Sequence, residues 1–128
     1  MTIRTYIDAD VGIAVQKLSG AMTAVDVVDA QRNLYVAMGV HPKLPCLWDV
    51  TEGDVAATMD WTGMKLAVEG SEAIWDRMRG GRTAILVADE ADFGMGRMYA
   101  TLAENMPREI RVFYSRPDAI AWLTADTV

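Results

Sequence analysis

The chain has 128 residues, 18 acidic against 12 basic side chains and a formal charge of −6. With no basic run it carries no electrostatic footprint for nucleic acid or an anionic membrane surface. Its length fits a single domain over residues 1–128 that needs no disulfide staple. No stretch approaches the roughly 20 apolar residues of a membrane span, and a strand pattern begins at Thr2 with no basic, apolar leader before it, so the expected location is the cytoplasm.

Thr2 to Asp8 alternates, with Ile3, Thr5 and Ile7 on one face and Arg4, Tyr6 and Asp8 on the other; Val11 to Leu18 follows, and the pair predicts an opening hairpin. From Thr23 the period becomes helical. Val27, Val28, Gln31, Leu34, Tyr35 and Met38 recur at three and four, Thr23 can cap, and Gly39 stands where the helix ends. His41 to Pro45 cannot be helical, and Cys46 to Val50 reads as a short strand, apolar on both faces. Thr51 to Asp60 is the least regular stretch, with room for one helical turn at Val55 to Met59.

Trp61, Met64, Val68, Ser71, Trp75 and Met78 then predict one long amphipathic helix ended by Gly80 and Gly81, with Gly70 inside it as a weak point or a close-packing site. Arg82 to Ala88 is a continuous apolar run, the pattern of a strand covered on both sides. Met95, Met98, Tyr99, Leu102 and Met106 form the stripe of a third helix, closed by Asn105 and Pro107. Glu109 to Tyr114 alternates and belongs nearer a sheet edge, and Ser115, Pro117 and Asp118 mark the start of a last helix packing Ile120 and Leu123. The fold class this order predicts is α/β: a mixed, mostly parallel five-stranded sheet with an antiparallel first strand, flanked by about four helices.

Cys46, the only cysteine, lies in an apolar run and reads as an inert buried thiol of a reduced compartment. His41, the only histidine, is the one imidazole base that could serve it as a nucleophile. Asp49, Glu52, Asp54 and Asp60 follow the third strand and Asp89, Glu90 and Asp92 the fourth, so both groups belong to the carboxyl edge where open α/β sheets bind ligands. A magnesium-assisted reaction on Asp49 and Asp89 would need a nucleophile and proton-transfer groups that the pattern does not supply, and acidic residues at helix starts are ordinary dipole partners. No metal and no cofactor is therefore expected. Gly94 and Gly96 follow a strand and open a helix like the first two glycines of a dinucleotide fingerprint, but Tyr99 takes the place of the third; the other reading is a close approach of helix to sheet.

The most distinctive text is Phe93-Gly94-Met95-Gly96-Arg97-Met98-Tyr99, followed by Ile110-Arg111-Val112-Phe113 and Ala119-Ile120-Ala121-Trp122-Leu123. With the element order, it resembles the SpoIIAA-like branch of the anti-sigma-factor antagonist family, the STAS domains, over nearly the whole chain. The bacterial members of that family are also described as related to lipid carriers. The resemblance implies a fold that presents loops to a protein or small ligand and usually has no enzymatic activity. It also implies a phosphorylated position at the start of the second helix. The matching text is Asp60-Trp61-Thr62-Gly63, which puts Thr62 at the modified position and replaces both serines of the family's Asp-Ser-Ser-Gly loop.

Nine methionines and four tryptophans are the oddity of composition, and Met59, Trp61, Met64, Phe93, Met95 and Met98 gather at the starts of the second and third helices. Thioethers beside aromatic rings make an adaptable apolar surface, for a partner protein, a second copy or a small hydrophobic ligand, unless they fill the core. The expected contact positions are Trp61, Thr62, Met64, Phe93, Met95 and Met98, in a non-enzymatic regulatory or binding module. The alternative is a carrier or sensor of a small apolar or lipid-like molecule.

Overall fold

The computed structural model of the protein describes residues 2–125. The chain opens with a hairpin, β1 (Thr2–Asp8) against β2 (Ile13–Gly20), and continues through α1 (Ala24–Arg32), β3 (Cys46–Gly53), a one-turn α2 (Val55–Thr58) and α3 (Trp61–Gly70). β4 (Arg82–Leu86), α4 (Glu90–Leu102), β5 (Glu109–Phe113) and α5 (Arg116–Thr124) complete it. The five strands lie in chain order, β1 antiparallel to β2 and every later pair parallel. Crossovers of one hand between successive neighbours place α1, α3 and α4 on the same face of the sheet. α5 covers the other.

Two apolar clusters record this division. The larger joins Ala14, Leu18, Cys46, Trp48 and Val50 of the sheet to Val27, Met64, Val68 and Tyr99 of the helices; the smaller joins Ile13, Val15, Leu47, Ala84 and Leu86 to Ala119 and Leu123 of α5. Alternation along each strand sends successive residues to opposite clusters. β4 is accordingly covered on both faces, with Thr83, Ala84 and Leu86 buried, while the edge strand β5 exposes Glu109 and Arg111 in alternation with Ile110 and Val112.

Local signals account for the helix starts. Thr23 and Asp26 form a capping box, the Asp26 amide donating to Thr23 Oγ1 at 3.4 Å and the Thr23 amide to Asp26 Oδ2 at 2.8 Å. Ser115 caps α5 through the Asp118 amide, with Pro117 in its first turn. α1 runs on into a wider π-helical turn, Asn33–Ala37, before Gly39.

The predicted long helix from Trp61 to Met78 is interrupted. α3 stops at Gly70 and the chain continues as a 3-10 segment, Glu72–Met78. Ser71, fully buried at the joint, donates through Oγ to the Val68 carbonyl at 2.8 Å and accepts from Trp75 Nε1 at 3.0 Å, so its hydroxyl takes up the carbonyl that the helix leaves. Gly70 serves as both weak point and packing site: a Cβ there would come within 2.8 Å of Val28 Cγ2, where α1 and α3 touch. β3 also runs beyond Val50, to Gly53, because it regains pairing with β2 past a bulge between Lys17 and Ser19.

At the amino edge of the sheet the guanidinium of Arg108 is buried and saturated. Nε donates to Thr83 Oγ1 at 2.6 Å, Nη1 to the carbonyls of Pro42 and Met78 at 2.6 and 3.1 Å, and Nη2 to those of Leu44 and Arg82 at 3.0 Å each. The Tyr35 ring lies 5.4 Å from its carbon. One side chain thus ties the loop before β3, the loop before β4 and β4 itself to the start of β5.

Candidate functional site

The carboxyl edge of the sheet is where the acidic and aromatic residues meet. Asp60 caps α3, its Oδ1 accepting the Gly63 amide at 2.8 Å, which leaves Trp61 and Thr62 in the first helical turn, both pointing to solvent. The inner face of α3 is Met64, Ala67 and Val68, all buried. Its outer face carries Leu66 at 55% exposure beside Lys65 and Glu69, while Trp61, 53% exposed, stands in the first turn at the head of the stripe that Met64 and Val68 continue. Val25 of α1 is 66% exposed. Leu66 stands one turn before Gly70 and Val25 one turn before Val28, the two residues at which α3 and α1 touch.

The six positions expected to make contacts therefore separate. Trp61 and Thr62 are exposed. Met64 is 3% exposed and belongs to the core. Met95 and Met98 are half-buried against the same core. Phe93 is half-buried too, stacked on exposed Tyr114 with ring centroids 4.7 Å apart and planes 6° from parallel, and the Arg97 guanidinium lies 6.0 Å from its ring.

The carboxylates are already engaged by the protein. Asp49 accepts from the Thr51 amide at 3.0 Å and hydroxyl at 2.6 Å and faces Arg116 at 3.8 Å; Glu52 faces Lys17 at 3.5 Å. Asp89 caps α4 through the Asp92 amide at 2.8 Å. That cap starts α4 at Glu90, well before the stripe suggested, and so places Gly94 and Gly96 inside the helix, where no phosphate-cradling loop exists. Gly96 instead allows close approach: a Cβ would lie 3.0 Å from Val112 and 3.7 Å from Ile85. Among the described residues no three His, Cys, Asp or Glu side chains gather as a metal-ligand set, and no helix is long and apolar enough to cross a membrane. Burial pushes the Cys46 thiol up to about 12, leaving almost no thiolate at neutral pH, and His41 is exposed, its Nδ1 accepting from the Lys43 amide.

Asp92 does something the sequence did not announce. Only 5% exposed, it accepts the Ala56 amide at 3.0 Å on Oδ1 and so caps α2, whose own preceding residue Asp54 makes no cap bond. Desolvation raises its pKa above the ordinary 3.8; the bond from Ala56 opposes this, and Asp89 and Asp54 add to it. A carboxyl whose folded value is raised stabilises the fold fully below the unfolded value, and that contribution is lost as pH rises through the folded value. Asp92→Asn keeps the acceptor and removes the charge. Its unfolding free energy relative to the native protein should therefore improve between about pH 4 and about pH 7 in urea titrations, and a pH-independent difference would contradict this account.

Beneath these helix starts, between the helical layer and the sheet, lies a cavity of about 50 Å³ walled by Met22, Met64, Met78, Met106 and Trp48, with Val55 and Asp92 at its α2 end. Gln31 and Tyr99 bring polar groups to it. Gln31 Nε2 donates to the Tyr99 hydroxyl at 3.1 Å, while Gln31 Oε1, on a side chain 4% exposed, has no hydrogen-bond partner. Burial, ahead of the Gln31 bond, pushes the Tyr99 hydroxyl up to about 12, so it stays protonated.

These features define the protein's class: an α/β domain of SpoIIAA-like fold, with an acidic, aromatic carboxyl edge and a small methionine-walled interior. A solved structure shares that fold. It is an uncharacterized protein of the DUF3478 family with a SpoIIAA-like fold from Shewanella loihica PV-4, superposing with a TM-score of 0.61 over 95% of this chain and 92% of that one at 21% identity. No protein-family model and no curated protein matches the chain.

Proposed function

We propose that the protein is a non-enzymatic, STAS-like interaction module that engages a basic protein partner through the exposed first turn of α3 and the acidic edge beside it. The observation that carries this is Trp61, a large ring left 53% exposed in the first turn of α3 although Met64 and Val68, which follow it on the same stripe, are buried. Exposed aromatic residues ringed by polar ones are the usual anchors of protein interfaces. Asp54, Asp60, Asp89 and Glu90 are exposed at the same edge, and the whole chain is at −6, so a positively charged partner is favoured over a second copy bearing the same charge. Thr62, exposed in the first turn, is the position where a kinase would tune this contact, since phosphate there meets the positive end of the helix dipole and adds charge beside Asp60. No residue of the carboxyl edge is assigned a catalytic role.

The test is a pull-down with the native and Trp61→Ala proteins, read by quantitative mass spectrometry at low and high salt. A basic protein retained by the native chain, lost with Trp61→Ala and weakened by salt supports the reading. Identical retention by both chains refutes it.

The methionine-walled cavity favours a second reading, a carrier or sensor of a small apolar or lipid-like molecule. Because a water takes about 30 Å³ of liquid, the cavity of about 50 Å³ admits an acyl chain only if α2 and the methionines move. Lipid bound in the native mass spectrum of the purified protein would favour that reading over the first.

A further inference from the structure

We infer that the cavity between α1, α4 and the sheet is a binding site for a compact, uncharged molecule bearing one hydroxyl group, held by Gln31 and Tyr99. This rests on the small-ligand reading above and does not depend on the exposed first turn of α3.

The polar pair sets the chemistry. A buried amide oxygen without a donor is costly, and native interiors rarely leave one. In the observed arrangement Gln31 Oε1 asks for a donor, and the Tyr99 hydroxyl, having accepted from Gln31 Nε2, still has its own proton to give. A ligand hydroxyl can donate to the first and accept from the second. It also serves the reverse orientation of the amide, in which Tyr99 donates to the oxygen and the free amide nitrogen seeks an acceptor.

The surroundings exclude charge of either sign. The Arg108 guanidinium acts on Tyr99, Tyr35 and Cys46 at the inner end and opposes a cation, while Asp92, with Asp89 and Asp54 nearby, opposes an anion at the α2 end. Thr83, also on the wall, has its hydroxyl oxygen turned to Arg108, whose Nε it accepts at 2.6 Å. What remains is an apolar wall rich in methionine, whose unbranched thioethers reshape around a small body. Entry would require movement of α2, a single turn tied by Thr58 Oγ1, which donates to the Met22 carbonyl at 2.9 Å and accepts from the Met22 amide at 3.3 Å, and by the Ala56 amide donating to Asp92.

The experiment labels the methionine methyls with 13C and titrates 2-propanol, then phenol as a larger probe, into the native protein. The methyls of Met22, Met64, Met78 and Met106 should shift to saturation, while exposed Met38 reports only the bulk solvent effect. In Gln31→Leu the dissociation constant should rise by about tenfold or more, the worth of one hydrogen bond. If that variant does not fold, Tyr99→Phe takes its place with the same expectation. Absence of saturable shifts with both probes means that water alone occupies the site, and equal affinity in the variant means that the polar pair does not hold the ligand. Either result overturns the inference, as does lipid in the native mass spectrum of a protein whose methyls ignore both alcohols; that last result would leave the carrier reading standing.

Discussion

Arg108→Met is expected to lower the unfolding free energy by about 4 kcal/mol or more, a large part of the roughly 5–15 kcal/mol typical of a domain. Methionine keeps much of the apolar stem and removes every donor. The carbonyls of Pro42, Leu44, Met78 and Arg82 and the hydroxyl of Thr83 all lose a partner together around a side chain only 7% exposed. Each orphaned buried acceptor costs about 1–3 kcal/mol, less whatever relaxation or entering water recovers. The opposing gain, relief of burying a cation with no carboxylate beside it, is small because those carbonyl dipoles already solvate the charge. Arg108→Lys, with three donors and no planar fork, should fall between the two. Urea unfolding followed by far-ultraviolet circular dichroism measures this, and a loss below about 1 kcal/mol in Arg108→Met would show that the network is ornamental.

Gly81→Ala should cost about 3 kcal/mol, at the upper end for overpacking. An added Cβ would lie 2.1 Å from Arg108 Nη1 and 2.3 Å from the Pro42 carbonyl oxygen, separations no atoms can hold. The methyl must push the guanidinium out of its acceptors or the loop off the strand. Because both substitutions injure one network, the double variant Gly81→Ala/Arg108→Met should lose less than the sum of the two. Strict additivity in the double-mutant cycle would place the damage of the alanine elsewhere.

The fold was largely legible because its signals are local. Alternation in Thr2 to Asp8, the helical period from Val27 to Met38, the Thr23 and Ser115 caps and the apolar run within Arg82 to Ala88, of which Arg82–Leu86 forms the strand, each needed only near neighbours to be read. The interruption at Ser71 was not, since its cause is a buried hydroxyl shared with Trp75 and a contact of Gly70 with another helix. Gly94 and Gly96 stand inside α4 and not at its opening, because Asp89 starts the helix early, and the packed sheet supports the close-approach reading at Gly96.

The site was less legible still. Arg108 carries no pattern, because its acceptors come from segments separated along the chain and gathered only by folding. Asp92 caps a helix 36 residues away. Gln31 and Tyr99 did leave a trace, as polar residues standing on otherwise apolar stripes, and a stripe position that tolerates an amide implies a partner across the core. Trp61 is the reverse case. It heads its stripe, yet the structure leaves it outside the core.

The most direct measurement is the affinity of the captured partner for Trp61→Ala, set beside that variant's urea midpoint. The account predicts binding weakened by about thirtyfold, roughly 2 kcal/mol as for an aromatic anchor, with the midpoint unmoved. Undiminished affinity, or a midpoint that collapses together with binding, would contradict it.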